Sequence, residues 1–236
     1  MMGHSRPLVL TDASLNTPFA EAYRALRANI NFSGLGQTIK SLLVTAGRPG
    51  EGKSTTVANL GILLARAGQR VVLLDADFRR HSLGDMVATN GNGHRQGGGL
   101  TDLIAGRATF ADVAQPVQAV DRLFLVPTGL IPPHPSELLA SPRMRVVIAD
   151  LTDRADVVLL DSPPCSLYSD AIELTQVTDG VLYVLRSGPQ GPVNHLRALK
   201  QLQQGRARLI GIVMNQVDGN LGGYDPRYRP GVPANG

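Results

Sequence analysis

The run Thr45-Ala-Gly47-Arg48-Pro49-Gly50-Glu51-Gly52-Lys53-Ser54-Thr55 decides the fold. From Gly47 to Ser54 it matches G-x-x-x-x-G-K-[ST], the phosphate-binding loop. Glycines at this spacing let backbone N–H groups curl around phosphate oxygens. A helix that starts at the lysine aims its positive end, roughly half an elementary charge, at the same anion. The flanks agree with that reading. Ser41–Ala46 is a short apolar run of strand character. Lys53–Ala67 is helical, with Val57, Leu60, Gly61 and Leu64 at helical spacing and Gly68 as its stop.

Working outward, apolar runs alternate with helical patterns along the chain. Arg70–Asp75, Leu123–Val126, Asp156–Asp161, Gly180–Arg186 and Arg208–Asn215 read as strands. Pro142–Leu151, Ser169–Val177 and Pro192–Gln203 read as helices between them. Such alternation implies βαβ units and an α/β fold, a P-loop NTPase with a mostly parallel twisted sheet and helices on both faces. Runs such as Val71–Leu74 and Val157–Leu160 are continuously apolar, as strands covered on both faces must be. An additional helix, Thr17–Phe32, opens at Thr17-Pro18 and carries Phe19, Ala22, Tyr23, Leu26 and Ile30 on one face. Residues 1–16 read as a flexible leader, residues 17–218 as one domain, and residues 219–236 as a disordered tail. That tail has five glycines and three prolines in 18 residues. Ala88–Gly99 is rich in Gly and Asn and reads as a mobile loop.

Composition narrows the function classes. At 236 residues, with 43% hydrophobic and 18% charged residues, the chain can bury a real core. No apolar stretch approaches the ~20 residues that span a bilayer, and Met1–Leu10 has no secretory apolar core. A lone cysteine, Cys165, fits a reducing cytoplasm. The net charge is +4 and its basic residues are mostly arginine, with Lys40, Lys53 and Lys200 the only lysines. No run of five like charges occurs, so no nucleic-acid partner is expected.

A Mg²⁺–nucleotide site also needs carboxylates, and two strand ends supply them. Asp161 closes Val157–Leu160 as V-V-L-L-D-S-P-P, and Asp75 and Asp77 follow Val71–Leu74 as V-V-L-L-D-A-D-F-R. In parallel sheets, ligands sit beyond the carboxyl ends of the strands, so all three acids should face the bound phosphates. One Asp after a strand is commonly a turn former; three in this arrangement are better explained by a metal site. A hydrolase needs one acid for metal and one to orient water, whereas a kinase needs one for metal and one to accept a hydroxyl proton. Spacing alone does not separate the two.

With these residues in view, the chain resembles the bacterial tyrosine kinases (BY-kinases) of capsule and exopolysaccharide synthesis, in their cytoplasmic CpsD/CapB-type form. The resemblance runs from about Thr17 to Asp218. Thr45–Thr55 is similar to the family's P-loop, Leu73–Arg80 to its additional acidic motif, and Asp161-Ser-Pro-Pro164 to its Walker B segment. Glu21-Ala-Tyr-Arg-Ala-Leu-Arg27 is similar to its E-x-x-R-x-x-R helix, and Gly99–Gly106 and Pro132–Leu139 to two further segments.

The resemblance implies ATP and Mg²⁺ as cofactors and autophosphorylation on tyrosine. It implies that Gly47, Arg48, Pro49, Gly50, Glu51, Gly52, Lys53, Ser54 and Thr55 hold the nucleotide, with Lys53 on the transferred phosphate. Ser54 and Asp161 would hold the metal with Asp77 nearby, and Asp75 would take the tyrosine proton, although Asp75 and Asp77 could exchange these roles. Asn215 would contact adenine, or is simply a strand-end Asn. Glu21, Arg24 and Arg27 share one helix face; the resemblance makes it a contact in a ring, and spacing alone makes it an internal ion-pair stripe. The activator would be a membrane-embedded polysaccharide co-polymerase on a separate chain, drawing this protein to the inner face of the membrane. A tyrosine phosphatase would oppose it.

The chain also departs from the family. Of five tyrosines only Tyr224 and Tyr228 lie in the tail, a thin version of the family's acceptor cluster. This keeps open a nucleotide-gated regulatory module without kinase activity. Arg48 stands where partition-type ATPases carry a lysine that crosses a dimer, which keeps that class open too. His81 replaces a frequent proline after the two arginines.

Overall fold

The computed structural model describes residues 9–11, 14–33, 38–87, 98–188 and 193–217. The elements in chain order are α1 (Pro18–Ser33), β1 (Ser41–Ala46), α2 (Lys53–Arg66), β2 (Val71–Asp75), α3 (Leu83–Met86), α4 (Leu100–Ala105) and α5 (Phe110–Val113). There follow β3 (Gln115–Pro116), β4 (Leu123–Val126), α6 (Pro135–Leu139), α7 (Pro142–Arg154) and β5 (Val157–Asp161). The chain continues through α8 (Asp170–Thr175), β6 (Gly180–Arg186), α9 (Val193–Gln204) and β7 (Leu209–Asn215).

The strands form one sheet in the order β3-β4-β2-β5-β1-β6-β7. Every pair is parallel except β3 with β4. Successive residues of each inner strand feed opposite cores. Leu42, Val44, Leu73, Leu159 and Leu182 join the core under α1, α2 and α3. Leu43, Val72, Leu74, Leu160 and Tyr183 join the core under α4 through α9. This two-sided burial is why Leu42–Val44, Val71–Leu74 and Val157–Leu160 are apolar at successive positions.

The expected strands all form. The departures have local causes. β3 and the short helices α3 to α6 are single turns or two-residue pairings, too short to give a period in the sequence. The helix expected over Ser169–Val177 covers only Asp170–Thr175. In α1 the buried residues are Ala20 and Tyr23, whereas Ala22, placed on the buried face from its spacing, is exposed. Leu10, in the stretch read as a loose leader, is buried, and its N–H donates to Asn59 Oδ1 at 2.7 Å. β7 is an edge strand with Leu209, Ile212 and Met214 exposed, so burial on both faces does not extend to it. Most of Ala88–Gly99 and all of residues 219–236 lie outside the described residues.

Candidate nucleotide site

β1 sits between β5 and β6, and the loop leaving it climbs over the carboxyl edge of the sheet into α2. Two glycines are dictated by geometry here. Gly47 lies against β6, where a Cβ would come 2.5 Å from the Tyr183 hydroxyl. Gly52, the residue before α2, has φ 94°, and a Cβ there would collide with the Asn215 amide. The loop is further fixed by Ser166, whose hydroxyl donates to Gly47 O, and by Thr56, whose N–H and hydroxyl both bond Gly52 O at 2.8 Å. Lys53 and Ser54 are buried on the first turn of α2, while Pro49 and Gly50 are exposed at the loop's crest.

Two of the three expected acids sit side by side, and the third folds onto its own loop. Asp75 and Asp161 are register partners at the ends of adjacent parallel strands, and both are fully buried. Asp77, 4% exposed, turns back on its own loop: its Oδ1 accepts the Arg79 and Arg80 N–H groups at 3.1 Å each, and its own N–H donates to Asp75 Oδ1 at 3.2 Å. Both Asp161 oxygens and Asp75 Oδ2 are buried with no hydrogen-bond partner. Burial pushes the Asp161 carboxyl up to about 7, against the pull of the Lys53 charge and the nearby Ser54 hydroxyl. In the structure that hydroxyl also lies 3.0 Å from the Ser82 hydroxyl, within hydrogen-bond distance. Burial, then the neighbouring Asp161, raises Asp75 well above the usual carboxylate range.

Orphaned buried carboxylate oxygens beside a serine hydroxyl fit a hard cation with oxygen ligands. Among the described residues no group of three or more His, Cys, Asp or Glu side chains forms a closed metal cage. In nucleotide sites Mg²⁺ takes few protein ligands and completes its shell with phosphate oxygens and water.

The acidic loop is braced from behind. Arg79 donates through Nε and Nη2 to the two Asp170 oxygens at 3.3 and 3.2 Å and lies over the Tyr168 ring, 4.4 Å from its centroid. Ser136, in the Pro132–Leu139 segment, donates to the same Asp170. His81 has φ 32°, a left-handed conformation closed to proline.

Other residues singled out from the sequence fall as follows. Asn215 reaches the loop, donating from Nδ2 to Glu51 O at 2.9 Å. Arg48 is held within the chain: with the Asn194 amide oxygen turned toward it, Nη2 and Nε donate at 2.6 and 3.2 Å. On α1, Arg24 pairs with Glu21 and donates to Leu15 O at 2.7 Å, and Arg27 donates to Leu63 O at 3.3 Å. Cys165 is buried, its thiol pushed up to about 11 by burial and donating to Ala46 O at 3.4 Å. Tyr224 and Tyr228 lie outside the described residues. The sequence reading missed Asn194, His195, Tyr183 and Asp170. None belongs to a local motif, and each meets the loops only through tertiary contact.

A twisted parallel sheet whose P-loop and strand-end acids converge at one edge defines a nucleotide-binding P-loop protein. In agreement, residues 42–225 match the CobQ/CobB/MinD/ParA nucleotide binding domain. Within that class the chain belongs to the bacterial tyrosine-kinase family. It is 33% identical to the tyrosine-protein kinase CpsD of Streptococcus agalactiae over 89% of this chain and 91% of that protein. It is 32% identical to the tyrosine-protein kinase wzc of Salmonella typhimurium over 86% of this chain but only 28% of that protein. The kinase domain of the Escherichia coli tyrosine kinase ETK superimposes with a TM-score of 0.77 at 26% identity, covering 95% of this chain and 88% of that one.

Proposed function

We propose that this chain is an ATP- and Mg²⁺-dependent protein-tyrosine autokinase that regulates polysaccharide synthesis and export, phosphorylating tail tyrosines of a neighbouring copy. The observation that carries the reading is the set of buried, partnerless carboxylate oxygens on Asp75 and Asp161 beside Lys53, at the mouth of a P-loop. The similarity to CpsD over nearly the whole chain supports kinase over simple ATPase.

The chemistry follows from what each residue can do. The amides of Gly50–Ser54, the N-terminus of α2 and the Lys53 ammonium bind the phosphates and stabilise charge that builds during transfer. Ser54 and Asp161 would hold Mg²⁺ with Asp77 beside it, and the bound ion would neutralise charge on the β- and γ-phosphate oxygens. Asp75 accepts the proton of the incoming tyrosine hydroxyl as its oxygen bonds the γ-phosphorus and the β–γ bridging bond breaks. Its raised affinity for a proton suits that role. Asp77 has one oxygen committed to its own loop, which supports giving the proton to Asp75. Asn215 would border the base, from its position at the end of β7 against Glu51.

Tyr224 and Tyr228 would be the acceptors and Glu21, Arg24 and Arg27 the ring contact. Among the described residues no helix is long and apolar enough to cross a membrane. The activator would be a membrane-embedded polysaccharide co-polymerase on a separate chain. Retention of Arg48 by Asn194 of the same chain supports the kinase reading over a dimer-spanning partition ATPase.

The test is intact mass and peptide mapping after incubation with Mg-ATP, alone and with the activator's cytoplasmic segment fused. Phosphate on Tyr224 or Tyr228, absent in Lys53→Met, is the expected result. ATP hydrolysis without phosphotyrosine, even with the fusion, would overturn it in favour of a nucleotide-gated switch.

A further inference from the structure

Glu51 stands inside the phosphate loop, two residues before Lys53, and its carboxylate is 2% exposed. A buried acid beside a site for a polyphosphate is unfavourable unless it is held and partnered. Here it is held from several sides. Its Oε2 accepts the Arg48 N–H at 3.0 Å, which folds the crest of the loop onto itself. Its carbonyl accepts Asn215 Nδ2. Its Oε1, otherwise without a hydrogen-bond partner, faces His195 Nε2 at 3.3 Å. The far side of that imidazole is fixed in turn, since Nδ1 lies 3.0 Å from the Tyr183 hydroxyl, the group pressed against Gly47. The rings of Tyr183 and His195 meet edge to face, with centroids 6.1 Å apart. Asn194, one residue earlier on α9, engages Arg48.

We infer that His195 is a positioning residue: from the first turn of α9 it clamps Glu51 and holds the phosphate loop in its nucleotide-ready shape. The inference rests on the nucleotide-site reading above, but not on kinase activity. The physical basis is preorganisation. Loop N–H groups bind phosphate well only if they already point inward, and any ordering left to the ligand is lost from its affinity. Without the imidazole, Glu51 Oε1 has no protein partner and the Glu51–Arg48 turn loses its outer support. Neither His195 nor Tyr183 needs to touch the nucleotide. The clamp also ties the loop to β6, α9 and β7, the last elements before the acceptor tail.

The experiment measures ATP and ADP binding by calorimetry, with Mg²⁺ present, in the full chain and in His195→Ala, His195→Gln and Tyr183→Phe, beside thermal melts. The expected result is roughly 5–20-fold weaker binding in His195→Ala. His195→Gln, which can bond both Glu51 and Tyr183, should return to within about twofold of the parent, and Tyr183→Phe should fall between. Wild-type affinity in His195→Ala would overturn the clamp. So would loss of affinity that His195→Gln does not restore while it melts like the parent, since the contact would then not be what matters. If the parent itself binds neither nucleotide, the nucleotide-site reading fails instead. If His195→Ala does not fold, His195→Gln and Tyr183→Phe still decide, because the clamp requires near-parental binding in the first and weaker binding in the second.

Discussion

The two ends of the sheet treat their aspartates in opposite ways. At the amino end, Asp179 Oδ2 accepts the Lys40 and Ser41 N–H groups at 2.8 Å each and the Ser41 hydroxyl at 2.9 Å. Asp156 there accepts the Arg70 N–H at 2.7 Å. Both of these acids are exposed, so water could have served them, yet each is engaged by protein donors on its Oδ2. At the carboxyl end, Asp75 and Asp161 are sealed from water and retain oxygens with no partner. Stability alone would favour the reverse, because an unmet buried charge is costly. The amino-end acids tie strand starts together, whereas, on the function proposed above, the carboxyl-end acids are held ready for ligands.

Mutations should separate these roles. Lys53→Met should show the largest effect, a loss of phosphoryl transfer of at least about 100-fold, read by phosphotyrosine mass spectrometry, as befits removal of a charge-stabilising group. Asp161→Asn should also lose activity but make the metal-free protein more stable, by about 1–3 kcal/mol in urea melts at pH 8. A less stable Asp161→Asn would break the comparison. Asp179→Ala should do the opposite, costing about 1–2 kcal/mol of stability while turnover per folded molecule is kept.

The same contrast predicts a pH dependence. The Asp161 carboxyl is raised from its ordinary 3.8 to about 7 by burial, so folding favours its protonated form. The stability this contributes is fully present below about pH 4 and is lost as pH rises through about 7. Metal-free melts should therefore show a loss between pH 4 and 8 that Asp161→Asn flattens. The smallest effect is expected on α1. Glu21→Ala removes a half-exposed pair worth about 0.2–0.5 kcal/mol to the monomer. A drop in sedimentation coefficient with Mg-ATP, at nearly unchanged stability, would sharpen the case for a ring contact. Unchanged sedimentation would leave Glu21 and Arg24 as an internal pair.

Much of this architecture was legible from local pattern. Parallel strands covered on both faces carry continuous apolar runs, so the cores of β1, β2 and β5 announced themselves. The acids at their ends then followed from where parallel sheets place ligands. β7 read simply as a further strand, and only strand order shows that it lies at an edge with Leu209, Ile212 and Met214 exposed. Ala22 and Ala20 are equally apolar and only packing against α2 chose between them.

By itself the sequence determined the P-loop, the acids at the strand ends, the parallel sheet and the family, since each is written in short-range spacing and residue type. Tertiary structure alone decided that Asp77 turns back on its own loop while Asp75 pairs with Asp161 in register. It also decided that Arg48 is retained by Asn194, and that His195, more than 140 residues downstream, meets Glu51. Such contacts join elements whose separation along the chain leaves no periodic trace, and the choice among possible partners is made by packing and strand order.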